Sequence, residues 1–236
     1  MLIVNPRKFW WGVVMALGFL AVLALMFTPV FGGHNAFRAA DRLFNSIAKG
    51  SSYYMDTLRA EVVTPNRGRP FDLSLSFKDE ETAERFGSLL KGSGGEGTLE
   101  QLQVSARGDL GAVMATALED AEDMFYNRGT EVAERRGCPE KQALLAWWSG
   151  FKAMQKALEE RGEFSQAADV HEVVGKGLEV GYNFYGIEPL RASHNLLVLT
   201  GALVFYIVYT MWWGFAMLFL FDGVGMEMKA GAKKEV

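Results

Sequence analysis

Two long stretches without a charged side chain constrain this sequence more than any other feature. Phe9 to Phe31 is a run of 23 uncharged residues preceded by Arg7-Lys8, and Leu196 to Phe221 is a second of 26, ending at Asp222. A helix needs about 20 consecutive apolar residues to cross the hydrocarbon of a bilayer, so each run is long enough to span one. The second would be roughly 39 Å long at about 1.5 Å per residue, against a core of about 30 Å, which predicts tilt or a projecting end. A secretory signal peptide also joins a basic start to an apolar stretch, but that stretch is only ~7–15 residues long before its cleavage site. The first run is therefore read as an uncleaved anchor, with Trp10-Trp11 as its interfacial aromatic pair.

Composition fits anchors joined to a water-facing insert. Mean hydropathy is +0.06 although 22% of the 236 residues are charged, so the apolar residues are gathered in blocks. A pI near 5.5 and a net charge of -4 exclude the basic patch a nucleic-acid binder carries. With 13% aromatic residues the chain is too rich for intrinsic disorder. One cysteine, Cys138, excludes an intramolecular disulfide framework, a Cys-rich zinc site and a c-type haem attachment pair.

Sidedness follows from charge. The segment from His34 to Ala192 has 19 basic and 25 acidic residues, a net -6, whereas the tails have a net +2. Basic residues near membrane ends are tied between tails and insert, but the positive-inside bias is weighted towards short segments. The expected organisation is a cytoplasmic tail over residues 1–8, a transmembrane helix over 9–31, an extracytoplasmic, mostly helical domain over 32–193, a second transmembrane helix over 194–221 and a cytoplasmic tail over 222–236. This is a mainly α, two-pass membrane protein of an inner membrane, its helical domain carrying a minor two-stranded β element.

Within the insert, Phe37, Ala40, Phe44 and Ile47 recur at helical spacing opposite Arg38, Asp41, Arg42 and Asn45, an amphipathic helix continuing from the first anchor. Phe71 to Phe77 alternates apolar and polar residues, the period of a half-buried strand, and Leu99 to Ala106 is a weaker strand. Between them Asp79 opens a helix with acids in its first turn. Gly92 to Gly97 reads as a flexible connector, because it follows a helix and lacks the lysine-hydroxyl ending of a phosphate loop. From Asp109 to Gly186 the pattern is helical. Leu110, Val113, Met114, Ala117, Leu118, Ala121, Met124 and Phe125 form one stripe, and Leu144, Trp148, Phe151 and Leu158 a second. Ala168, His171, Val174, Leu178, Tyr182 and Tyr185 form a third.

Candidate chemistry is sparse. His34 and His194 each lie just outside an anchor and precede an Asn, so two imidazoles at one membrane face are candidate haem ligands or flank a quinone site. The ordinary reading is histidine at home in an interface, and no cofactor is expected. His171, on an apolar stripe without a second His or Cys one turn away, reads as a core histidine. Glu119, Asp120, Glu122 and Asp123 read as a solvated acidic face. Cys138, at a helix start, reads as buried. Neither a Ser-His-Asp order, a metalloprotease helix nor a dinucleotide fingerprint is visible, so no enzymatic activity is expected.

The second anchor is more informative. Tyr206, Tyr209, Thr210, Trp213 and Met217 fall on one helical face, and polar groups within spans usually face protein. Trp212-Trp213 as a displaced interfacial belt is the competing reading. Gly12, Ala16 and Gly18 offer close-packing positions on the first anchor. These features imply lipid, and integral membrane subunits or further copies of the chain, as partners, and no nucleic acid. The expected role is a non-catalytic accessory or scaffold subunit of an inner-membrane assembly, self-assembled or joined to a transporter or redox complex. An extracytoplasmic sensing module acting through a partner and a haem-bearing electron carrier are the alternatives.

Overall fold

The computed structural model describes residues 3–190 and 195–226. The chain divides into two compact units, one of Met1–Ile47 with Leu190–Val236 and the other of Ala48–Pro189. Each is described by itself.

The first unit is built on two helices long and apolar enough to cross a membrane. Helix α1 (Pro6–Met26) starts earlier than its uncharged run because Asn5 caps it, accepting a hydrogen bond from the Lys8 backbone, with Pro6 at its first position. It also ends earlier. Thr28-Pro29 breaks the helix, and Phe27 to Phe31 leave it as turns. Helix α2 (Ala36–Ser51) follows, capped by Asn35, whose side chain accepts from the Arg38 backbone at 2.9 Å. Helix α10 (Leu196–Gly223) runs against α1 in the opposite direction. The α1 start meets the α10 end: Val4 and Asn5 N–H groups both donate to the Gly223 carbonyl at 2.9 Å, and Lys8 pairs with Asp222 at 2.9 Å. These donors satisfy carbonyls that a helix C-terminus leaves free.

Glycine sets the closeness of this pair. A methyl group placed on Gly12 would lie 2.7 Å from the Leu220 backbone nitrogen, and one on Gly223 would lie 2.6 Å from the Phe9 Cα. Gly12, Ala216 and Gly223 are the buried residues of the two helices, and bulky neighbours such as Trp10, Trp11, Leu17 and Val208 stay exposed.

The second unit is helical around a small antiparallel sheet. Helix α3 (Met55–Leu58) passes through a π turn (Arg59–Val63) and a 3-10 turn (Thr64–Asn66) into β1 (Pro70–Ser76). Helix α4 (Glu80–Gly92), capped by the Asp79 carboxylate, leads to β2 (Glu96–Glu100) and β3 (Gln103–Asp109). The sheet has three strands in the order β1-β3-β2, one more than the sequence suggested. What reads as a single weak strand is a hairpin, with Glu100 opposite Gln103 and Gln101 in the left-handed region at φ 58°. The expected glycine connector is partly strand, because Gly97 lies against Gly87 of α4, where a methyl group would come within 2.9 Å of the Gly87 Cα. Glycine there lets helix and strand backbones approach. Leu73, Leu75, Val104 and Ala106 line the buried side of the sheet, and Asp72 and Arg107 pair across its wet side at 2.9 Å.

Asp109 caps α5 (Leu110–Phe125), and every member of the first expected stripe is buried there. Helices α6 (Gly129–Arg136), α7 (Glu140–Glu160) and α8 (Phe164–Val173), a π turn (Val174–Leu178) and α9 (Glu179–Asn183) complete the unit. Two expected stripes are corrected. On α7 the core residue is Trp147, fully buried edge-on to Phe86 and Phe151, while Trp148 is exposed. On α8 the inward residues are Ala167, Val170 and Val173, so Ala168 and His171 face outward, while Val174 and Leu178 of the π turn are buried as expected. His171 is therefore not a core histidine.

Candidate functional site

The face that α10 turns to α1 is set by Tyr209, Trp212, Ala216 and Gly223, spaced three, four and seven residues apart. The Tyr209 ring stacks on Phe19 with centroids 4.1 Å apart, and its hydroxyl donates to the Phe19 carbonyl at 3.1 Å. The Trp212 indole N–H donates to the Met15 carbonyl at 3.0 Å. Two polar side chains are thus satisfied inside the pair, each by a backbone carbonyl of α1. Trp212 lay outside the expected stripe. Its signal was the step of three from Tyr209, which the neighbouring Trp213 obscured.

The rest of the stripe divides. Trp213 touches the Phe19 ring at 4.7 Å and keeps 39% of its surface exposed. The Thr210 hydroxyl turns back to carbonyls of its own helix, those of Tyr206 and Ile207. Met217 is half-buried. Tyr206 is 64% exposed, beside exposed Ile207 and Val208. The outer surface of α10 therefore carries a phenol and an indole that α1 does not fully cover.

Of the two expected histidines, one is among the described residues. His194 lies outside the described residues. His34 exchanges backbone hydrogen bonds with Phe31, and its Nε2 accepts from the Arg42 guanidinium, so the nitrogen a haem iron would take is engaged.

The second unit holds three buried charged groups that the sequence reading missed or misplaced. Asp120 and Asp123 are buried, which overturns the solvated reading of that acidic run. Asp120 accepts from Trp147 Nε1 at 2.7 Å, from Arg136 Nε at 2.7 Å and from Arg135 at 2.9 Å. Burial pushes the Asp123 carboxyl up, but hydrogen bonds from Arg135 and Arg128 outweigh it and hold the group below its ordinary range. Glu122 behaves alike: burial raises it, and Arg59 and Tyr53 bring it below its ordinary value. Glu119 remains exposed. The arginines follow the turn at Asn127, and nothing in the helical period of α5 announces them.

Lys49 is the third group. Only 2% of it is exposed, and its Nζ donates to the carbonyls of Phe184 and Ile187 and to Asn127 Oδ1. Its ammonium also lies 5.1 Å from the centre of the Phe125 ring. Burial lowers its pKa, and Glu188 opposes that shift. Asn127, left-handed at φ 61°, ties the same turn through Gly186 N–H and the Ile187 carbonyl. This is a cation capping free carbonyls at a chain turn. Cys138 is half-buried beside Leu144, and burial pushes its thiol up rather than down. Among the described residues, no group of three His, Cys, Asp or Glu side chains stands together as a metal site.

The described residues also form a concave surface. A groove of about 300 Å³ between α7 and α9 is lined by Leu144, Leu145, Trp148, Leu178, Glu179 and Tyr182. Trp148 Nε1 donates to Glu179 at 2.9 Å across it, and Leu145, Trp148 and Tyr182 present open apolar surface. Compared with known protein families, curated proteins and solved structures, the chain matches none, so its own geometry carries the reading of function.

Proposed function

We propose that this chain is a two-pass inner-membrane protein serving as a non-catalytic accessory or scaffold subunit, with its helical domain outside the cytoplasm. The observation that carries this reading is the outer face of α10. After α1 has taken Tyr209 and Trp212, Tyr206 keeps 64% of its surface exposed, and Trp213, which meets Phe19 on one side, keeps 39%. Polar groups within a span usually face protein, so a further helix, from a partner subunit or another copy, belongs against the Tyr206 hydroxyl and the Trp213 indole N–H.

Gentle extraction followed by native electrophoresis tests the proposal on the full chain. The expected result is a particle well above the 26.2 kDa of one chain, diminished by the double substitution Tyr206→Leu, Trp213→Leu with insertion intact. A lone monomer from the unaltered chain sinks it. Sidedness is tested with a membrane-impermeant thiol reagent on Lys91→Cys, an exposed position at the end of α4. Labelling in cells with a permeabilised outer barrier supports an extracytoplasmic domain, and labelling only after lysis reverses it.

The groove favours a second reading, a ligand-binding or sensing module working through the same partner. Its aromatic and aliphatic walls with one carboxylate resemble a small-molecule site in composition. Thermal shift of the full chain against a small-molecule panel separates the readings, since a ligand that binds the folded state raises its unfolding temperature.

A further inference from the structure

Helix α2 carries an apolar face that its own unit leaves open. Phe37 and Phe44, two turns apart, are 46% and 52% exposed, with Ala40 exposed between them. Leu43 and Ile47 flank that line half-buried. Arg38, Asp41, Arg42 and Asn45 take the other side, of which the first three are exposed. A water-facing helix of this kind would hide its rings.

The chain places this helix beside the end of α1. With 21 residues α1 is about 31 Å long, which matches the ~30 Å hydrocarbon core and puts Met26 at the polar boundary when α1 spans it. Phe27, the residue that ends α1, lies ring to ring with Phe37 in the first turn of α2, centroids 5.0 Å apart. Val30 and Phe31 in the connecting turn are exposed as well. The aromatic face of α2 therefore begins at the depth where α1 leaves hydrocarbon. A helix with rings on one side and arginines on the other is suited to lie in the plane of that boundary, rings among the upper acyl chains and guanidinium groups at the headgroups.

We infer that α2 is an interfacial helix whose Phe37–Ala40–Phe44 face is occupied by the lipid surface itself. This rests on the reading of α1 and α10 as membrane spans.

The test is site-directed spin labelling of the full chain, with Cys138 replaced by serine, in vesicles of phosphatidylcholine and phosphatidylglycerol. Labels at Phe37, Phe44, Arg38 and Arg42 are compared by collision with oxygen, which concentrates in lipid, and with a water-soluble nickel complex. Labels at Leu17 of α1 and Val208 of α10, both exposed, report the spans. The expected result is lipid-like accessibility at Phe37 and Phe44, at shallow depth, and water-like accessibility at Arg38 and Arg42, alternating with the helical period. If Leu17 and Val208 are in lipid while Phe44 is as open to nickel as Arg42, the inference fails and the two-pass reading stands. Shielding of Phe44 from both reagents also overturns it, since a protein partner or second copy would then cover the face. If Leu17 and Val208 are themselves in water, the two-pass reading fails and takes the inference with it.

Discussion

The two units of this chain bury opposite kinds of residue. In the unit of Ala48–Pro189 large side chains are fully buried, among them Trp147, Phe86, Phe151 and Met114. In the α1–α10 pair the buried residues are Gly12, Ala216 and Gly223, and tryptophan, leucine and valine face outward. Water explains the first arrangement, because removing apolar area from it is the main force of folding. It cannot explain the second. A pair that shows its apolar side chains and hides its glycines is ordered by backbone approach and shape, the forces left when the surroundings are themselves apolar. The contrast makes each unit respond differently to the same kind of damage.

The largest effect is expected at Trp147. Trp147→Ala removes the biggest buried ring and one of the donors to Asp120, and large-to-small core changes of this type cost about 3–5 kcal/mol. The adjacent Trp148→Ala should cost clearly less, because Trp148 keeps 36% of its surface exposed and gives up chiefly its hydrogen bond to Glu179, worth about 0.5–1.5 kcal/mol. Hydrogen exchange in α5 and α7 of the full chain measures both. Equal losses from the two would mean that the core is not organised around Trp147.

Acid comes next. Asp123 and Glu122 are held below their ordinary values of 3.8 and 4.5 in the folded unit, so each binds fewer protons folded than unfolded as pH falls through that range. Their contribution is complete above pH 4.5 and is lost as pH drops below 4 towards the folded values. Exchange protection in α5 should therefore decline below pH 4, and Glu122→Gln with Asp123→Asn should flatten that decline. The α1–α10 pair, joined mainly by carbonyl hydrogen bonds and close packing, should show less of it.

How far the sequence discloses these features depends on where the deciding partner lies. The α5 stripe is legible because the helix is buried along one side and its period is unbroken. Trp147 and Trp148 are adjacent and equally apolar, and what selects between them is Phe86, some sixty residues away on α4. The π turn Val174–Leu178 inserts an extra residue per turn, which shifts the inward face and leaves His171 outside a stripe it fits on paper. The acidic run looked solvated because its arginine partners lie outside its own helix: Arg128, Arg135 and Arg136 beyond the turn, and Arg59 in the π turn before β1. In the anchors, Gly12 was legible as a close-packing position, but the period of α10 could not tell Trp212 from Trp213 in a helix apolar on every side. The stripe read from sequence thus spans both the face held by α1 and the face left open.

A smaller effect tests the α1–α10 pair directly. Gly12→Val places two methyl groups where even one carbon would be 2.7 Å from the Leu220 nitrogen. Overpacking commonly costs about 1–3 kcal/mol, here as separation of the helices rather than loss of helix. Pulsed electron resonance between labels at Val14 and Val208, both exposed, should show a longer and broader distance distribution. An unchanged distribution would mean that the glycine contact is not what sets the spacing.

The smallest effect decides what the polar contacts add. Tyr209→Phe removes the hydroxyl bonded to the Phe19 carbonyl and keeps the ring stacked on Phe19. Hydrogen bonds between helices in membranes average only ~0.6 kcal/mol, since the separated helices also find partners. That corresponds to roughly a threefold change in the balance of paired and separated helices. Tyr209→Leu loses the stacking as well, and an aromatic pair is worth ≈ 0.5–1.5 kcal/mol beyond its area, so it should open the pair further. The same two labels measure both changes, and the expected order of opening is Gly12→Val, then Tyr209→Leu, then Tyr209→Phe. If Tyr209→Phe opens the pair as much as Gly12→Val, the hydroxyl rather than the backbone approach holds it together. The pair would then be ordered by buried polar contacts as the Asp120 cluster is, and the contrast between the two units would fail.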